Sequence, residues 1–121
     1  MHVKFAELPV SDQDRAIAFY SRHLGATVVS DSSYGDDGWR WVELGFDGEK
    51  THLLLARRQD DRPSDKPAMV LIDDAVEDII RRLKETGVEI ITEPRKAPWN
   101  PSQTFAEFRD SEGNRVVLSS Q

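Results

Sequence analysis

The sequence predicts an α+β fold in which two tandem β-α-β-β-β modules form a curled mixed sheet with the helices on its outer face. The first observation behind this prediction is an internal repeat with a constant offset of 62 positions. The second is that each copy passes from a strand-like pattern to a helical apolar stripe and then back to strand-like patterns. The matched pairs are Val10 with Ile72, Asp12 with Asp74, Ile17 with Ile79, Gly25 with Gly87, and Val28-Val29 with Ile90-Ile91.

The first module, residues 1–56, begins with a strand and a capped helix. Residues 3–10 are rich in Val, Phe and Leu and predict the strand. Ser11 or Asp12 then caps a helix, because a short side-chain oxygen accepts hydrogen bonds from the free N–H groups of the first turn. The helix ends at Gly25, since glycine adopts the left-handed conformation at little cost.

Three further strands complete the first module. The second strand begins at Val28-Val29 and is followed by a polar loop over residues 31–38. Strands over residues 39–46 and 51–56 are joined by a turn at Asp47-Gly48. The order of elements is therefore β-α-β-β-β.

The second module, residues 68–121, repeats this order after an exposed linker over residues 57–67. Its first strand, residues 68–72, leads to a helix capped by Asp73 or Asp74. After this helix come Gly87 at its end, a strand over residues 88–92, a loop with three prolines over residues 93–102, and hairpin strands over residues 104–109 and 115–119. Together the two modules are expected to form one domain over residues 1–121.

Length and composition indicate an apolar core and exclude several classes of partner. The chain has 121 residues, of which 38% are hydrophobic, and a formal net charge of −6. This charge disfavours nucleic acid, because phosphate contacts require clustered Lys and Arg. The absence of cysteine excludes disulfides, thiolate metal sites and a cysteine nucleophile. With no signal-peptide pattern and no apolar run of about 18 residues, we expect a cytoplasmic protein that does not bind membranes.

Side chains alternate across a strand, so each predicted strand divides into two rows. One row is apolar throughout and should pack against the two helices. Its members are Ala6, Leu8, Val10, Val42, Leu44, Leu53, Leu55, Val70, Ile72, Ala106, Phe108, Val116 and Leu118. The other row mixes aromatic and charged side chains, which is the usual composition of a small-molecule site. The candidate ligand-binding residues on this row and in the proline-containing loop are Phe5, Glu7, Trp39, Trp41, Glu43, His52, Leu54, Trp99, Phe105 and Glu107.

These residue types favour ligand binding over a recognisable catalytic motif. The Trp and Phe rings can stack on a planar ligand, and the three Glu carboxylates favour a cationic group. No serine nucleophile motif, phosphate-binding loop or dinucleotide motif is present, so no catalytic residue is predicted. A metal site needs several converging His or carboxylate groups, and His52 is the only histidine on the mixed row. Alternatively, the aromatic side chains face a partner subunit.

Four segments carry a resemblance to a known family: Pro9–Asp12, Ala16–Tyr20, Leu24-Gly25 and Phe105–Asn114. The last is similar to the signature A-x-F-x-D-P-x-G-N, with Ser111 in place of the proline. On these residues the whole chain resembles the vicinal oxygen chelate superfamily, which includes glyoxalase I, bleomycin-resistance proteins and extradiol dioxygenases.

The resemblance implies that metal-dependent members hold one ion with four side chains. The corresponding positions here carry Phe5, Leu54, Pro67 and Val117, none of which can bind a metal. What remains resembles the bleomycin-resistance-like branch, which needs no metal or other cofactor. The resemblance to that branch implies a homodimer that sequesters a small aromatic or cationic molecule in a crevice between subunits.

Three functions are compatible with the sequence. The first is the metal-free homodimeric binding protein implied by the resemblance. The second is a glyoxalase-like or dioxygenase-like enzyme with a relocated metal site, using His52 with Glu7, Glu43 or Glu107. The third is a module whose aromatic face binds another protein.

Overall fold

Residues 1–121 are described by a computed structural model with two helices and eight strands. The chain divides into two compact units, Met1–Asp61 and Arg62–Gln121, and each unit contains one four-stranded mixed sheet. The predicted α+β class with two tandem β-α-β-β-β modules is confirmed. Neither helix has the length and apolar character needed to cross a membrane.

The first unit has the strand order β1-β4-β3-β2, with β1 parallel to β4 and the other pairs antiparallel. Helix α1 packs on β2 and β3. Its N-cap is Asp12, whose carboxylate accepts a hydrogen bond from the Arg15 N–H at 3.0 Å, and its C-cap is Gly25 with φ of 72°. The elements are β1 (Phe5–Val10), α1 (Gln13–Leu24), β2 (Thr27–Ser33), β3 (Arg40–Gly45) and β4 (His52–Arg57).

The second unit repeats this topology in the order β5-β8-β7-β6, with β5 parallel to β8. Helix α2 packs on β6 and β7, and its apolar side chains Val76, Ile79, Ile80 and Leu83 are buried. The elements are β5 (Met69–Ile72), α2 (Val76–Glu85), β6 (Ile90–Ala97), β7 (Asn100–Arg109) and β8 (Arg115–Ser119).

Several predicted boundaries were wrong, most clearly at the proline-containing loop. The segment predicted as a loop over residues 93–102 is instead the end of a long β6–β7 hairpin. Pro94 fits in β6 because this is an edge strand, and the pairing register shifts between Thr92 and Arg95. The turn of the hairpin is formed by Pro98 and Trp99.

Three other boundaries also differ from the sequence interpretation. Strand β2 extends to Ser33 and β4 to Arg57, so the predicted loop and linker both started too early. Helix α2 is capped by Ala75 rather than by an aspartate side chain. The Asp73 carboxylate instead accepts a hydrogen bond from the Ala75 N–H at 2.9 Å, which stabilises the turn before the helix.

The predicted apolar core row is not buried throughout. In the first unit Leu8 and Val10 are 1% and 0% exposed. Their repeat equivalents on β5, Val70 and Ile72, are each 56% exposed. Both β1 and β5 are edge strands, and each helix packs mainly on the two strands at the other end of its sheet. The expectation that every member of this row is buried was therefore wrong for Val70 and Ile72, and also for Ala6 on β1, which is exposed.

Gly113→Ala is expected to reduce the free energy of unfolding by more than about 2 kcal/mol, as measured by urea unfolding. The residue has φ of 80°, which disfavours an L side chain. A Cβ built there would lie only 2.6 Å from Cγ of Pro63, whose ring is stiff. The matched control is Gly48→Ala, because Gly48 has φ of 79° and no atom within 4 Å of the added Cβ. Equal losses in the two variants would contradict a role for the Pro63 contact.

Candidate functional site

Strand pairing brings several candidate residues together on one face of the first sheet. Phe5 of β1 pairs with His52 of β4, and Glu7 pairs with Leu54. Leu54 also pairs with Glu43 of β3. Since alternate residues of a strand share a face, these five side chains belong to one surface, which we call the mixed face.

Trp41 is the centre of an aromatic cluster at one end of the mixed face. Its ring centroid lies 5.6 Å from that of Phe5, with the two planes at 81°. It lies 5.6 Å from the ring centroid of Tyr34 at an angle of 59°. Edge-to-face contacts of this kind are favourable for aromatic quadrupoles, so the cluster holds Trp41 in a defined orientation.

The Glu43 carboxylate is buried, and both of its oxygens are hydrogen bonded. Oε2 accepts a hydrogen bond from Nε1 of Trp41 at 2.8 Å, and Oε1 lies 3.0 Å from Nδ1 of His52. The hydrogen bond from Trp41 does most to lower the pKa of Glu43, and the hydrogen bond to His52 comes next. Burial acts in the opposite direction and is outweighed. Glu43 is therefore an anion at neutral pH.

The charge of Glu43 determines which ring nitrogen of His52 carries the shared hydrogen. A carboxylate can only accept hydrogen bonds, so Nδ1 of His52 carries the shared hydrogen. In the neutral imidazole the lone pair is then on Nε2. The His52 side chain is 22% exposed.

A cavity of about 600 Å³ opens beside the aromatic cluster, within the first unit. This volume lies in the range of small-molecule pockets, which is roughly 300–1,000 Å³. Its walls include Tyr34, Trp39, Trp41, Leu54, Asp37 and Arg57. The guanidinium of Arg57 lies 4.7 Å from the ring centroid of Trp39 and pairs with the Asp37 carboxylate at 2.6 Å. One face of Trp39 is therefore already occupied by a cation.

Sequence reasoning missed three of these wall residues. Tyr34 and Asp37 fell in the predicted polar loop, and Arg57 fell in the predicted linker. Tyr34 is the single aromatic residue of that loop, which was a usable signal. Arg57 directly continues the apolar run of β4, but its stacking on Trp39 depends on a contact across the sheet that sequence spacing does not reveal.

The remaining candidates lie in the second unit. Trp99, at the hairpin turn, is 55% exposed, and its ring centroid lies 4.9 Å from that of the buried Phe105. The Trp99 Nε1 donates a hydrogen bond to Gln103 at 2.7 Å. Glu107 is buried and accepts hydrogen bonds from Arg115 and Thr92, of which the Arg115 bond does most to lower the pKa of Glu107.

Two of the three candidate glutamates on the mixed row are thus hydrogen bonded within the protein. Glu43 is bonded to Trp41 and His52, and Glu107 is bonded to Arg115. Only Glu7 is exposed. The negative charge available to a cationic ligand is therefore smaller than the count of glutamates indicates.

The residues present do not fit a metal ion. Phe5, Leu54, Pro67 and Val117, at the positions that the resemblance assigns to metal ligands, have no side-chain nitrogen, oxygen or sulfur. No group of three or more His, Asp or Glu side chains converges in a way that could hold a metal. The ring of His52 has a single carboxylate partner, Glu43.

Comparison with known proteins gives concordant matches over nearly the whole chain. The family model described as "Glyoxalase/Bleomycin resistance protein/Dioxygenase superfamily" matches residues 2–118. The uncharacterized protein YurT of Bacillus subtilis (strain 168) is 30% identical over 129 aligned positions, which cover 98% of each chain.

Two solved structures have the same fold at similar sequence identity. A member of the Glyoxalase/bleomycin resistance protein/dioxygenase superfamily from Sphaerobacter thermophilus DSM 20745 is 29% identical, with a TM-score of 0.84 and coverage of 100% of this chain and 98% of that one. TnmS3, an antibiotic binding protein from Streptomyces sp. CB03234, is 28% identical, with a TM-score of 0.79 and coverage of 99% and 95%.

Glu43→Gln is expected to lower the free energy of unfolding at pH 7 by about 1–3 kcal/mol, because charge-assisted hydrogen bonds are replaced by weaker ones. The pKa of Glu43 is lowered in the folded state, so its ionised form stabilises the fold above the unfolded pKa of about 4.3. This contribution is lost as the pH falls through the folded-state pKa. The difference between wild type and variant, measured by urea unfolding, should therefore shrink from neutral to strongly acidic pH.

Glu7→Gln is the matched control, because Glu7 is exposed on the same face. It should change stability by no more than about 0.5 kcal/mol. A Glu43→Gln deficit that is the same at neutral and acidic pH would contradict the assigned hydrogen bonds.

Proposed function

Since this chain belongs to the Glyoxalase/Bleomycin resistance protein/Dioxygenase superfamily, we propose that it is a cytoplasmic, metal-independent binding protein of that superfamily. In this proposal residues 1–121 form one domain, and a small aromatic or cationic molecule is sequestered in a crevice at a homodimer interface. The observation that carries the proposal is the 600 Å³ cavity walled by Tyr34, Trp39 and Trp41.

Two further observations support binding without a metal. The positions implied for metal ligands carry side chains that cannot ligate an ion, and no alternative group of ligands converges elsewhere. TnmS3, which is similar to this chain over nearly its full length, is itself described as an antibiotic binding protein. The volume of the cavity, about 600 Å³, lies within the range of pockets that bind small molecules.

The charges around the cavity support an aromatic ligand more strongly than a cationic one. Arg57 already occupies one face of Trp39, and its ion pair with Asp37 leaves no net charge on this part of the wall. Both oxygens of the Glu43 anion are already hydrogen bonded within the protein, to Trp41 and His52. The ring of Trp41 remains the main surface for stacking.

The exposed apolar pair on β5 supports self-association. Val70 and Ile72 lie on an edge strand and are each 56% exposed, whereas their repeat equivalents Leu8 and Val10 are buried. A second copy of the chain packed on this strand would remove the pair from water and cover a free sheet edge. An isologous contact of this kind closes as a dimer.

The protein should be titrated with a panel of planar aromatic compounds that includes neutral and cationic members. We expect members of the panel to quench its tryptophan fluorescence, with quenching that reaches saturation. Trp41→Leu should weaken the affinity by about tenfold, because stacking on one aromatic ring contributes about 1–3 kcal/mol. Trp41→Phe keeps an aromatic face and is the matched control, with a smaller loss. No response across the panel, or unchanged affinity in Trp41→Leu, would contradict the proposal that the cavity binds aromatic compounds. Stoichiometric metal in protein purified without chelator would contradict metal independence.

The combined variant Val70→Asp and Ile72→Asp is expected to be monomeric in sedimentation velocity, whereas the wild type sediments as a dimer of the 13.8 kDa chain. Charges at both positions cannot be buried in an apolar contact. Val28→Asp is the matched control and should stay dimeric, since Val28 is an exposed valine on the other unit, 45% accessible. A monomeric wild type, or a variant that still dimerises, would contradict the proposed interface.

A further inference from the structure

Strands β3 and β4 are paired with each other over only part of their length. Both strands have six residues, yet the register between them contains just two pairs, Glu43 with Leu54 and Leu44 with Leu53. Each strand is paired along its whole length with its other neighbour, β3 with β2 and β4 with β1. The first sheet is therefore split between β3 and β4, at the end where β3 begins and β4 ends.

The cavity of the first unit lies at this split. Its walls include two runs of consecutive residues, 39–41 and 54–57. A strand presents only alternate side chains to one face, so a cavity bounded by consecutive residues also reaches the strand backbones. The gap between the ends of β3 and β4 is therefore part of the space that a ligand would occupy.

The side-chain amide of Gln13, the first residue of α1, bridges the two strands at the split. Its Nε2 donates hydrogen bonds to the carbonyl oxygens of Arg40 at 2.7 Å and Leu55 at 3.3 Å, and its Oε1 accepts one from the Arg40 N–H at 3.1 Å. The residue is 5% exposed. Gln13 is not a wall residue of the cavity, but Arg40 and Leu55 are, so it acts on the cavity through their backbones.

The second module provides an internal comparison, because alanine stands there at the position of Gln13. The repeat offset of 62 places Ala75 at this position. Alanine has no side-chain amide, and in this module β7 and β8 are paired without interruption over residues 105–109 and 115–119. The module without the amide therefore has no corresponding split in its central antiparallel pair.

The backbone contacts at the end of each strand pair indicate what the amide replaces. Counted three residues from the buried glutamates and from their partners, Thr104 corresponds to Arg40, and Ser120 corresponds to Arg57. In the second module the Ser120 N–H donates a hydrogen bond to the Thr104 carbonyl at 2.8 Å. In the first module Arg40 is not paired with Arg57, and its carbonyl accepts from Gln13 instead. The amide thus takes the place of the neighbouring strand.

We propose that Gln13 is a positioning residue for the cavity, whose amide holds the ends of β3 and β4 apart and so keeps room for a ligand between them. This inference rests on the proposed function, since it concerns the same cavity. Without the amide, the polar backbone groups of Arg40 need another partner. The Arg57 N–H then bonds to the Arg40 carbonyl, as Ser120 bonds to Thr104, and the gap closes.

The test is Gln13→Ala, which installs the residue of the second module, studied under conditions where circular dichroism shows the variant to be folded. Amide hydrogen exchange followed by NMR is expected to slow at Arg57 by about tenfold or more, because its N–H gains a strand partner. The compounds of the aromatic panel, 2-naphthol first, are titrated into both proteins. A compound that binds the wild type is expected to bind Gln13→Ala about tenfold more weakly or worse, because the gap is part of its site.

Asp14→Asn is the matched control. Asp14 follows Gln13 on α1 and is 78% exposed, and its carboxylate lies 2.7 Å from the Arg40 guanidinium. It therefore contacts Arg40 only through the side chain, and its variant should keep the wild-type exchange and affinity. Gln13→Glu is a second variant if Gln13→Ala fails to fold. It keeps the size of the side chain but places an oxygen against the two carbonyls, so it should also lose affinity.

A loss of stability alone would not change the affinity of the folded protein or the exchange at Arg57 specifically. Unchanged affinity or unchanged Arg57 exchange in Gln13→Ala would overturn the role of Gln13 and leave the proposed function standing. A wild type that binds no aromatic compound would overturn the proposed function and the role of Gln13 in binding together. The wild-type titration thus distinguishes the two failures.

Discussion

The organisation of the mixed face depends on one buried charge, the carboxylate of Glu43. An ionised carboxylate removed from water is stable only when its oxygens are hydrogen bonded, and here the donors are Trp41 and His52. Satisfying the anion therefore positions two side chains of the mixed face at once. Trp41 in turn packs against Phe5 and Tyr34, so the orientation of the aromatic cluster is coupled to the same carboxylate. Loss of this charge would loosen the cavity wall and the histidine together.

The two modules share one backbone topology but place different side chains around a buried glutamate. Each central antiparallel pair contains a buried glutamate opposite an apolar residue, Glu43 opposite Leu54 and Glu107 opposite Val117. In the first unit the glutamate is bonded to an indole and an imidazole, and in the second it is bonded to the guanidinium of Arg115. The repeat thus preserves the backbone and the buried charge, while the partner of the charge differs. The first unit also contains a cavity of small-molecule size walled by aromatic rings.

Sequence patterns predicted elements well where local chemistry decides the backbone. Asp12 caps α1 and Gly25 follows its last turn, as expected from side-chain hydrogen bonding and left-handed backbone geometry. Prediction failed where a residue's role depends on its place in the sheet. Pro94 reads as a loop residue, yet it is tolerated in β6 because an edge strand can lose one ladder hydrogen bond at a bulge. Val70 continues the apolar row, yet it is exposed, whereas its repeat equivalent Leu8 is buried on the corresponding edge strand.

By itself, the sequence determined the twofold repeat, the order of strands and helices, and the alternation that separates an apolar row from a mixed row. These features follow from interactions within a few residues or from a pattern repeated along the chain. Only the tertiary structure decided which of the mixed-row side chains are available to a ligand. Trp39 is partly covered by Arg57, and Glu43 is bonded to Trp41 and His52. The physical reason is that hydrogen bonds and ion pairs between strands depend on register and distances of a few ångströms, which the spacing of residues along the chain does not encode.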